Sequence, residues 1–115
     1  MKLTNKKVGI GAIIVITILI LIFSSQSKDY EEFANCLTQK GVSMAGTEWC
    51  SHCKTQKEMF GESFQYIDYH NCDLEREWCM TKGIQGYPSW VLPNGELLPG
   101  TQTLSKLAEL SNCSI

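Results

Sequence analysis

Two cysteines separated by two residues are the strongest chemical signal in this sequence. Cys50 and Cys53 enclose Ser51 and His52, and Trp49 directly precedes them. Such a pair can form a reversible disulfide, in which one sulfur attacks a substrate and the second resolves the mixed disulfide. His52 can offer the Cys50 sulfur a hydrogen bond or a positive charge, which would stabilise the reduced form and make the pair an oxidant. The pattern predicts thiol–disulfide exchange that needs no cofactor beyond the cysteine pair.

The residues on either side of the pair predict its position in the fold. A short, mostly apolar stretch at 42–47 indicates a strand, and 50–60 indicates a helix that ends at Gly61. Cys50 would then lie at the helix N-terminus, where unpaired N–H groups and the helix dipole favour an anion. We therefore expect the pKa of the Cys50 thiol to fall below its usual value of about 8.5, so that its thiolate attacks near neutral pH.

The rest of the sequence predicts further helices and strands in alternation. Helical spacing is found at 30–41, 75–82 and 104–110, and strand patterns at 64–69, 89–92 and 96–98, the last two joined by a turn at 93–95. The order α-β-α-β-α-β-β-α, without an internal repeat, predicts an α/β domain. Its spaced aromatic residues are expected in the core: Phe64, Tyr66, Tyr69 and Trp78.

Composition and spacing bear on other kinds of site. Zinc binding is the alternative use of a CxxC pair, and Cys72 with His70 or Cys79 could supply further ligands, although they do not form a second CxxC-like knuckle.

From Lys28 onward there are seven Lys and Arg against twelve Asp and Glu. A nucleic-acid groove needs clustered basic residues, so no nucleic-acid partner is expected.

An apolar run near the N-terminus predicts a membrane anchor. Sixteen residues, 8–23, are apolar or small except for Thr17, and as a helix they would span about 24 Å. Lysines precede the run, which places its start in the cytoplasm and the domain outside. We expect a basic flank at 1–7, a single-pass transmembrane signal-anchor at 8–25, a linker at 26–29 and the domain at 30–115. A cleaved signal peptide is the less favoured alternative, and it would deliver the domain to the same side.

The other four cysteines are expected to form two disulfides, as suits a small domain in an oxidising compartment. Three pairings are possible. We favour Cys72–Cys79, which closes a short loop, and Cys36–Cys113, whose long loop should stabilise most. An alternative hypothesis is that Cys72 and Cys79 form a shuttle pair that relays electrons to or from the CxxC pair.

The CxxC pair together with Gly86-Tyr87-Pro88, about 35 residues later, resembles the thioredoxin superfamily. The resemblance implies a three-layer sandwich with a central mixed sheet flanked by helices. It also implies that Pro88 is cis and faces the two sulfurs, that the Tyr87 backbone binds a substrate chain, and that Trp49 forms part of the contact face. Met44 stands where cytosolic thioredoxins carry a buried acid. The absence of this acid argues against a thioredoxin-type reductase function.

A narrower resemblance is to the thioredoxin-like domain fused to bacterial vitamin K epoxide reductase homologues. It rests on five groups of residues: Phe33-Ala34-x-Cys36-Leu37, Met44-x-Gly46, Trp49-Cys50-x-His52-Cys53, Gly83-Ile84-x-Gly86-Tyr87-Pro88-x-Trp90 and Gly100-Thr101-Gln102-x-Leu104. This resemblance implies electron exchange with a quinone-coupled membrane oxidase and with exported protein thiols. The four-helix reductase part is absent from this sequence, so the oxidase would be a separate protein.

The sequence is therefore consistent with three functions. The preferred one is a membrane-anchored extracytoplasmic oxidoreductase that oxidises exported thiols and passes the electrons to the membrane oxidase. The second is a reductase or isomerase supplied by a transmembrane electron carrier, and the third is a binding module in which the CxxC disulfide is structural. Glu48 is expected to be either a solvated charge or a proton relay for Cys53.

Overall fold

The structure, a computed structural model, describes residues 2–24 and 28–115, with side chains at 9–21 and 28–115. The first helix, α1, runs from Lys2 to Ser24. The described side chains of this helix at 9–21 are exposed. Across the described residues, no helix combines the length and the apolarity needed to cross a membrane. Residues 25–27, which belong to the predicted anchor and linker, lie outside the described residues.

The remaining elements form the predicted α/β domain. They are α2 (Glu31–Gln39), β1 (Ser43–Gly46), α3 (Ser51–Phe60), a 3-10 helix (Gly61–Tyr66), β2 (Asp68–Asn71), α4 (Arg76–Lys82), β3 (Ser89–Val91), β4 (Leu97–Pro99) and α5 (Leu104–Ser111). Apart from the 3-10 helix, the order of helices and strands in this region is the predicted one. Gly83 ends α4 in the left-handed conformation, with φ of 77°, which glycine adopts without steric cost.

The four strands form one mixed sheet in the order β2-β1-β3-β4. β1 pairs in parallel with β2 and antiparallel with β3, which in turn pairs antiparallel with β4. Met44 in β1 therefore stands opposite Tyr69 on one side and Trp90 on the other. All four residues of β1 are buried, as expected for a central strand covered on both faces.

The two faces of the sheet carry separate clusters of buried side chains. Met44 and Trp90 lie in the larger cluster, together with residues of α2, α3 and α5. Ala45, whose side chain points to the opposite face, packs with two cysteines and Trp78 of α4. Helices thus cover both faces of the sheet, which confirms the expected α/β class and the expected central mixed sheet flanked by helices.

The strand predicted at 64–69 is wrong in its first half. Residues Gly61–Tyr66 form the 3-10 helix, and the strand begins at Asp68. The Phe64 ring packs edge-on against Phe60, and the Tyr66 carbonyl accepts a hydrogen bond of 2.6 Å from the Thr38 hydroxyl of α2. The aromatic residues alternate here because the 3-10 helix packs them on the core. In the sequence this alternation looks the same as that of a strand. Phe64, Tyr66 and Tyr69 pack on the larger core cluster and Trp78 on the smaller, as predicted.

Candidate active site

The CxxC pair lies at the N-terminus of α3, at the end of the connection that leaves the central strand. Cys50 is the N-cap residue, with extended backbone at φ −81° and ψ 118°. Its sulfur accepts a hydrogen bond of 3.1 Å from the backbone N–H of Cys53. Cys50 and Cys53 form a disulfide, and their Cα atoms are 5.2 Å apart. The free N–H groups at this helix end can stabilise a thiolate on Cys50 once the disulfide opens.

The two sulfurs of the pair differ in accessibility. Cys53 is fully buried in the larger core cluster, whereas Cys50 is half-buried at its edge. An incoming thiol or disulfide can therefore reach Cys50 more easily than Cys53. This asymmetry suits Cys50 to form the mixed disulfide with a substrate and Cys53 to resolve it from inside.

An exposed aromatic pair lies beside Cys50. The Trp49 side chain is 71% exposed, and its ring meets the Tyr87 ring edge-on at 6.0 Å between centroids. The indole N–H of Trp49 donates a hydrogen bond of 2.9 Å to a carboxylate oxygen of Asp73. This bond fixes the orientation of an indole ring that is largely exposed.

Pro88 lies at the same end of the sheet as the CxxC pair. Ser89 stands opposite Ala45 in the β3–β1 register, so Pro88 comes next to Gly46. The Tyr87–Pro88 peptide bond is cis, Pro88 is fully buried, and its carbonyl accepts a hydrogen bond of 2.7 Å from the Gly100 N–H. Tyr87 takes part in none of the backbone hydrogen bonds found between described residues outside helices and strands. Binding of a substrate chain by the Tyr87 backbone stays a prediction.

Gly46 allows the backbone of β1 to lie close to the buried Cys53 sulfur. A Cβ at this position would lie 3.0 Å from the Cys53 sulfur and 3.2 Å from a ring carbon, Cε2, of Tyr69. Both distances are shorter than ordinary van der Waals contact. The missing side chain of Gly46 therefore leaves room for both the sulfur and the phenol ring.

A polar cluster lies on the outer side of Tyr69. The Tyr69 hydroxyl donates a hydrogen bond of 3.3 Å to the Glu48 carboxylate, and the Lys57 ammonium lies 3.3 Å from the same carboxylate. The Lys57 ammonium is also 4.1 Å from the centroid of the Tyr69 ring. Burial, followed by the nearby charge of Glu48, its hydrogen bond and the charge of Asp73, raises the pKa of Tyr69 to about 12. Tyr69 is therefore a neutral hydrogen-bond donor at physiological pH.

Sequence reasoning named Glu48 but missed its partners. Lys57 follows Cys53 by four residues, a spacing that puts both on one face of α3 and could have drawn attention to it. Tyr69 lies in β2, the parallel neighbour of β1, and Asp73 lies two residues beyond the end of β2. Only the sheet register brings them to the site. No local pattern predicts that register.

His52 and Ser51 open the helix and are exposed. Among the described hydrogen bonds the Cys50 sulfur accepts one from the Cys53 backbone and none from the His52 ring. The His52 carbonyl accepts a hydrogen bond of 3.3 Å from the Thr101 hydroxyl, which ties the first turn of α3 to the segment before α5. Tuning of Cys50 by His52 stays a prediction.

The remaining cysteines form two disulfides, Cys36–Cys113 and Cys72–Cys79. Cys72 and Cys79 are nearly fully buried with Ala45, on the sheet face opposite the one that packs against Cys53. This position favours a structural role over a relay, since the sheet separates the two pairs. His70, the other residue of the zinc alternative, is engaged by Asp68 and Glu75 at 3.1 and 3.0 Å. In the described part of the chain no three His, Cys, Asp or Glu side chains are grouped as metal ligands.

No family model matches the chain. A protein of Arabidopsis thaliana named thiol-disulfide oxidoreductase LTO1 is 35% identical over 102 residues, a match that covers 80% of this chain and 27% of that protein. The chain is related in sequence to a thiol–disulfide oxidoreductase. It spans about a quarter of that relative's length.

The chain is also similar to a solved thioredoxin structure. Oxidised thioredoxin from Plasmodium falciparum, determined in solution, has 22% sequence identity and a TM-score of 0.46. The alignment covers 70% of this chain and 88% of the thioredoxin.

Proposed function

We propose that this protein is a thiol–disulfide oxidoreductase in which Cys50 exchanges disulfides with protein substrates and Cys53 resolves the mixed disulfide. The observation that carries this proposal is the asymmetric pair at the start of α3, with a half-buried Cys50 that caps the helix and a fully buried Cys53. The Arabidopsis relative, whose name describes the same chemistry, supports it.

Substrates of the proposed enzyme are exported polypeptides in an extended conformation. The exposed ring of Trp49 contacts the ring of Tyr87, whose backbone directly precedes the buried Pro88. A strand laid against Tyr87 would form main-chain hydrogen bonds without regard to its side chains, which suits an enzyme that acts on many proteins. Its cysteine would then meet Cys50.

The proposed direction of electron flow is out of exported thiols and into a membrane oxidase. In this direction a substrate thiolate attacks Cys50 and releases Cys53, and a second substrate thiol then frees Cys50 as the substrate disulfide forms. Cys53 resolves the mixed disulfide that Cys50 forms with the oxidase when the pair is reoxidised. The oxidase would be quinone-coupled and similar to the vitamin K epoxide reductase homologues that the sequence resembles. Support comes from Met44, which is buried and apolar where cytosolic thioredoxins have an acid. Reverse flow, from a membrane electron carrier to substrate disulfides, is the alternative that a reduction potential distinguishes.

The proposed location is the outer side of the cell membrane, with residues 8–25 as a single anchor and residues 1–7 in the cytoplasm. The uncharged, Ile-rich run at 8–23, the lysines before it and the three disulfides of the domain support this location. Protease digestion of intact cells or spheroplasts would test it. The domain should be degraded from outside, and a domain that becomes accessible only after membrane permeabilisation would contradict the proposal.

The experiment that tests the activity is covalent trapping. The Cys53→Ala variant lacks the resolving sulfur, so mixed disulfides between Cys50 and substrates should accumulate in cells and disappear on reduction. The matched control, Cys50→Ala with Cys53 intact, should trap little because Cys53 is buried. Equal trapping by the two variants, or none by either, would rule out the assigned roles. A reduction potential near −120 mV would indicate an oxidant and one near −270 mV a reductant.

A further inference from the structure

A buried side-chain amide joins the helix that carries the cysteine pair to the segment before α5. Gln56 lies one turn after Cys53 in α3 and is fully buried. Its amide oxygen accepts hydrogen bonds from the Trp90 indole N–H at 3.0 Å and from the Gln102 N–H at 2.7 Å. Its amide nitrogen donates to the Gln102 carbonyl at 3.0 Å and to the Met59 sulfur at 3.4 Å. All four hydrogen-bonding positions of the amide are therefore used inside the core.

Residues 100–102, which we call the strap, connect β4 to α5. The strap lies at the surface, with Thr101 exposed and its two neighbours half-buried. Gln56 binds both backbone groups of Gln102, as an antiparallel strand binds a residue of its neighbour. A side chain of α3 thus takes the place of a strand partner and fixes the strap to that helix.

The strap also contacts two parts of the site. The Gly100 N–H donates a hydrogen bond of 2.7 Å to the Pro88 carbonyl, and the Thr101 hydroxyl donates one of 3.3 Å to the His52 carbonyl. Pro88 directly follows Tyr87, where the proposed substrate strand docks, and His52 lies between the two cysteines. The position of the docking edge relative to the cysteine pair therefore depends on the strap.

We propose that Gln56 is a positioning residue, which fixes the strap and β3 to α3 and so places a substrate strand docked at Tyr87 within reach of the Cys50 sulfur. Gln56 is buried, touches no substrate and acts only through the groups it binds. This inference rests on the proposed exchange activity and adds the buried group that aligns substrate and sulfur. A misplacement of about 1 Å can slow a reaction about a hundredfold, so alignment matters for a docked chain. A small thiol does not dock as a strand and needs no such alignment.

The test compares a peptide with a small dithiol. The full chain, oxidised and kept in mild detergent, is mixed rapidly with an excess of a short unstructured peptide that has two cysteines, or with dithiothreitol. Tryptophan fluorescence follows reduction of the pair. One thiolate of the reductant attacks Cys50 and releases Cys53 as a thiolate, which takes up a proton. The second thiol of the reductant then frees Cys50, so that the reductant becomes a disulfide and the pair a dithiol.

Gln56→Met keeps the length of the side chain and removes the amide. The peptide concentration that gives half the maximal rate should rise about tenfold in this variant, because the docking edge is no longer aligned with the sulfur. The rate with dithiothreitol should stay within about twofold of the wild-type rate, since this reagent does not use the docking edge.

Two further variants separate positioning from stability. Leu37→Ala removes a fully buried side chain from α2 and should lower the Tm without raising the half-saturating peptide concentration. Thr101→Val removes the hydroxyl that binds the His52 carbonyl and should raise that concentration about threefold. Since Thr101 is exposed, this variant should fold normally, and it carries the test if Gln56→Met does not fold.

Three results would overturn the proposal. The first is a wild-type half-saturating concentration in Gln56→Met, or in Thr101→Val if Gln56→Met does not fold. The second is an equal rise in Leu37→Ala, because lost stability would then be the cause. The third is a loss of rate with dithiothreitol as large as that with the peptide. A wild-type pair that the peptide does not reduce would instead contradict the exchange activity itself.

Discussion

Substituting Gly46 with alanine should destabilise the oxidised protein, because the space beside the buried sulfur is already filled. The new Cβ would lie 3.0 Å from the Cys53 sulfur and 3.2 Å from the Tyr69 ring. The sulfur cannot move away while it is bonded to Cys50. The ring packs against Phe64, at 5.5 Å between centroids, and lies under Lys57. Neither neighbour can move aside easily.

The size of this effect follows from two opposing contributions. Overpacking a core typically costs about 1–3 kcal/mol. Replacing glycine inside a strand recovers about 0.5–1 kcal/mol of conformational entropy. The net loss should be about 1–2 kcal/mol, which corresponds to a fall in Tm of roughly 5–15 °C for a domain of this size. After reduction the loss should be smaller, since the Cys53 sulfur can then rotate away.

Thermal and denaturant unfolding followed by tryptophan fluorescence would measure this loss in the full chain. Gly86→Ala is the matched control, because a Cβ at Gly86 would meet nothing within 4 Å. A Gly46→Ala protein as stable as the wild type would refute the packing described at the site. So would a Gly86→Ala protein that loses as much stability as Gly46→Ala, because the effect would then not depend on the contact with sulfur.

Three further predictions concern stability. Replacing Cys36 and Cys113 with alanine opens a disulfide between residues 77 apart, and denaturant unfolding should show a loss of about 4 kcal/mol; a loss under 1 kcal/mol would contradict the bond. The pKa of Tyr69 is raised from 10.0 to about 12, so folding favours its neutral form and stability should fall as pH rises from 10 to 12. Because the group is partly exposed, the fall should be about 1 kcal/mol, and the same titration of Tyr69→Phe should lack it. Gln56→Leu should cost about 2–4 kcal/mol, because the Trp90 indole N–H donates to the Gln56 amide oxygen at 3.0 Å inside the core. Unchanged unfolding of that variant would mean that water replaces the amide.

The helix and strand order was largely predictable, since local signals agree with the final fold. Gly83 and the turn at 93–95 mark element ends in the sequence, and both end elements in the structure. The stretch 64–69 was not predictable in detail, because its aromatic residues alternate whether they lie on a strand or on a 3-10 helix. Contacts with Phe60 and with α2 decide between the two.

The sequence by itself determined the chemistry at Cys50 and Cys53. Their spacing and the strand-to-helix transition before them are local, and local backbone preferences place the first cysteine at the helix end. Only the tertiary structure decided what surrounds the second sulfur. Gly46 and Tyr69 meet there because β1 and β2 pair in a particular register, and register depends on packing across the whole sheet. The same packing brings Glu48, which follows the end of β1, into contact with Tyr69 and Lys57.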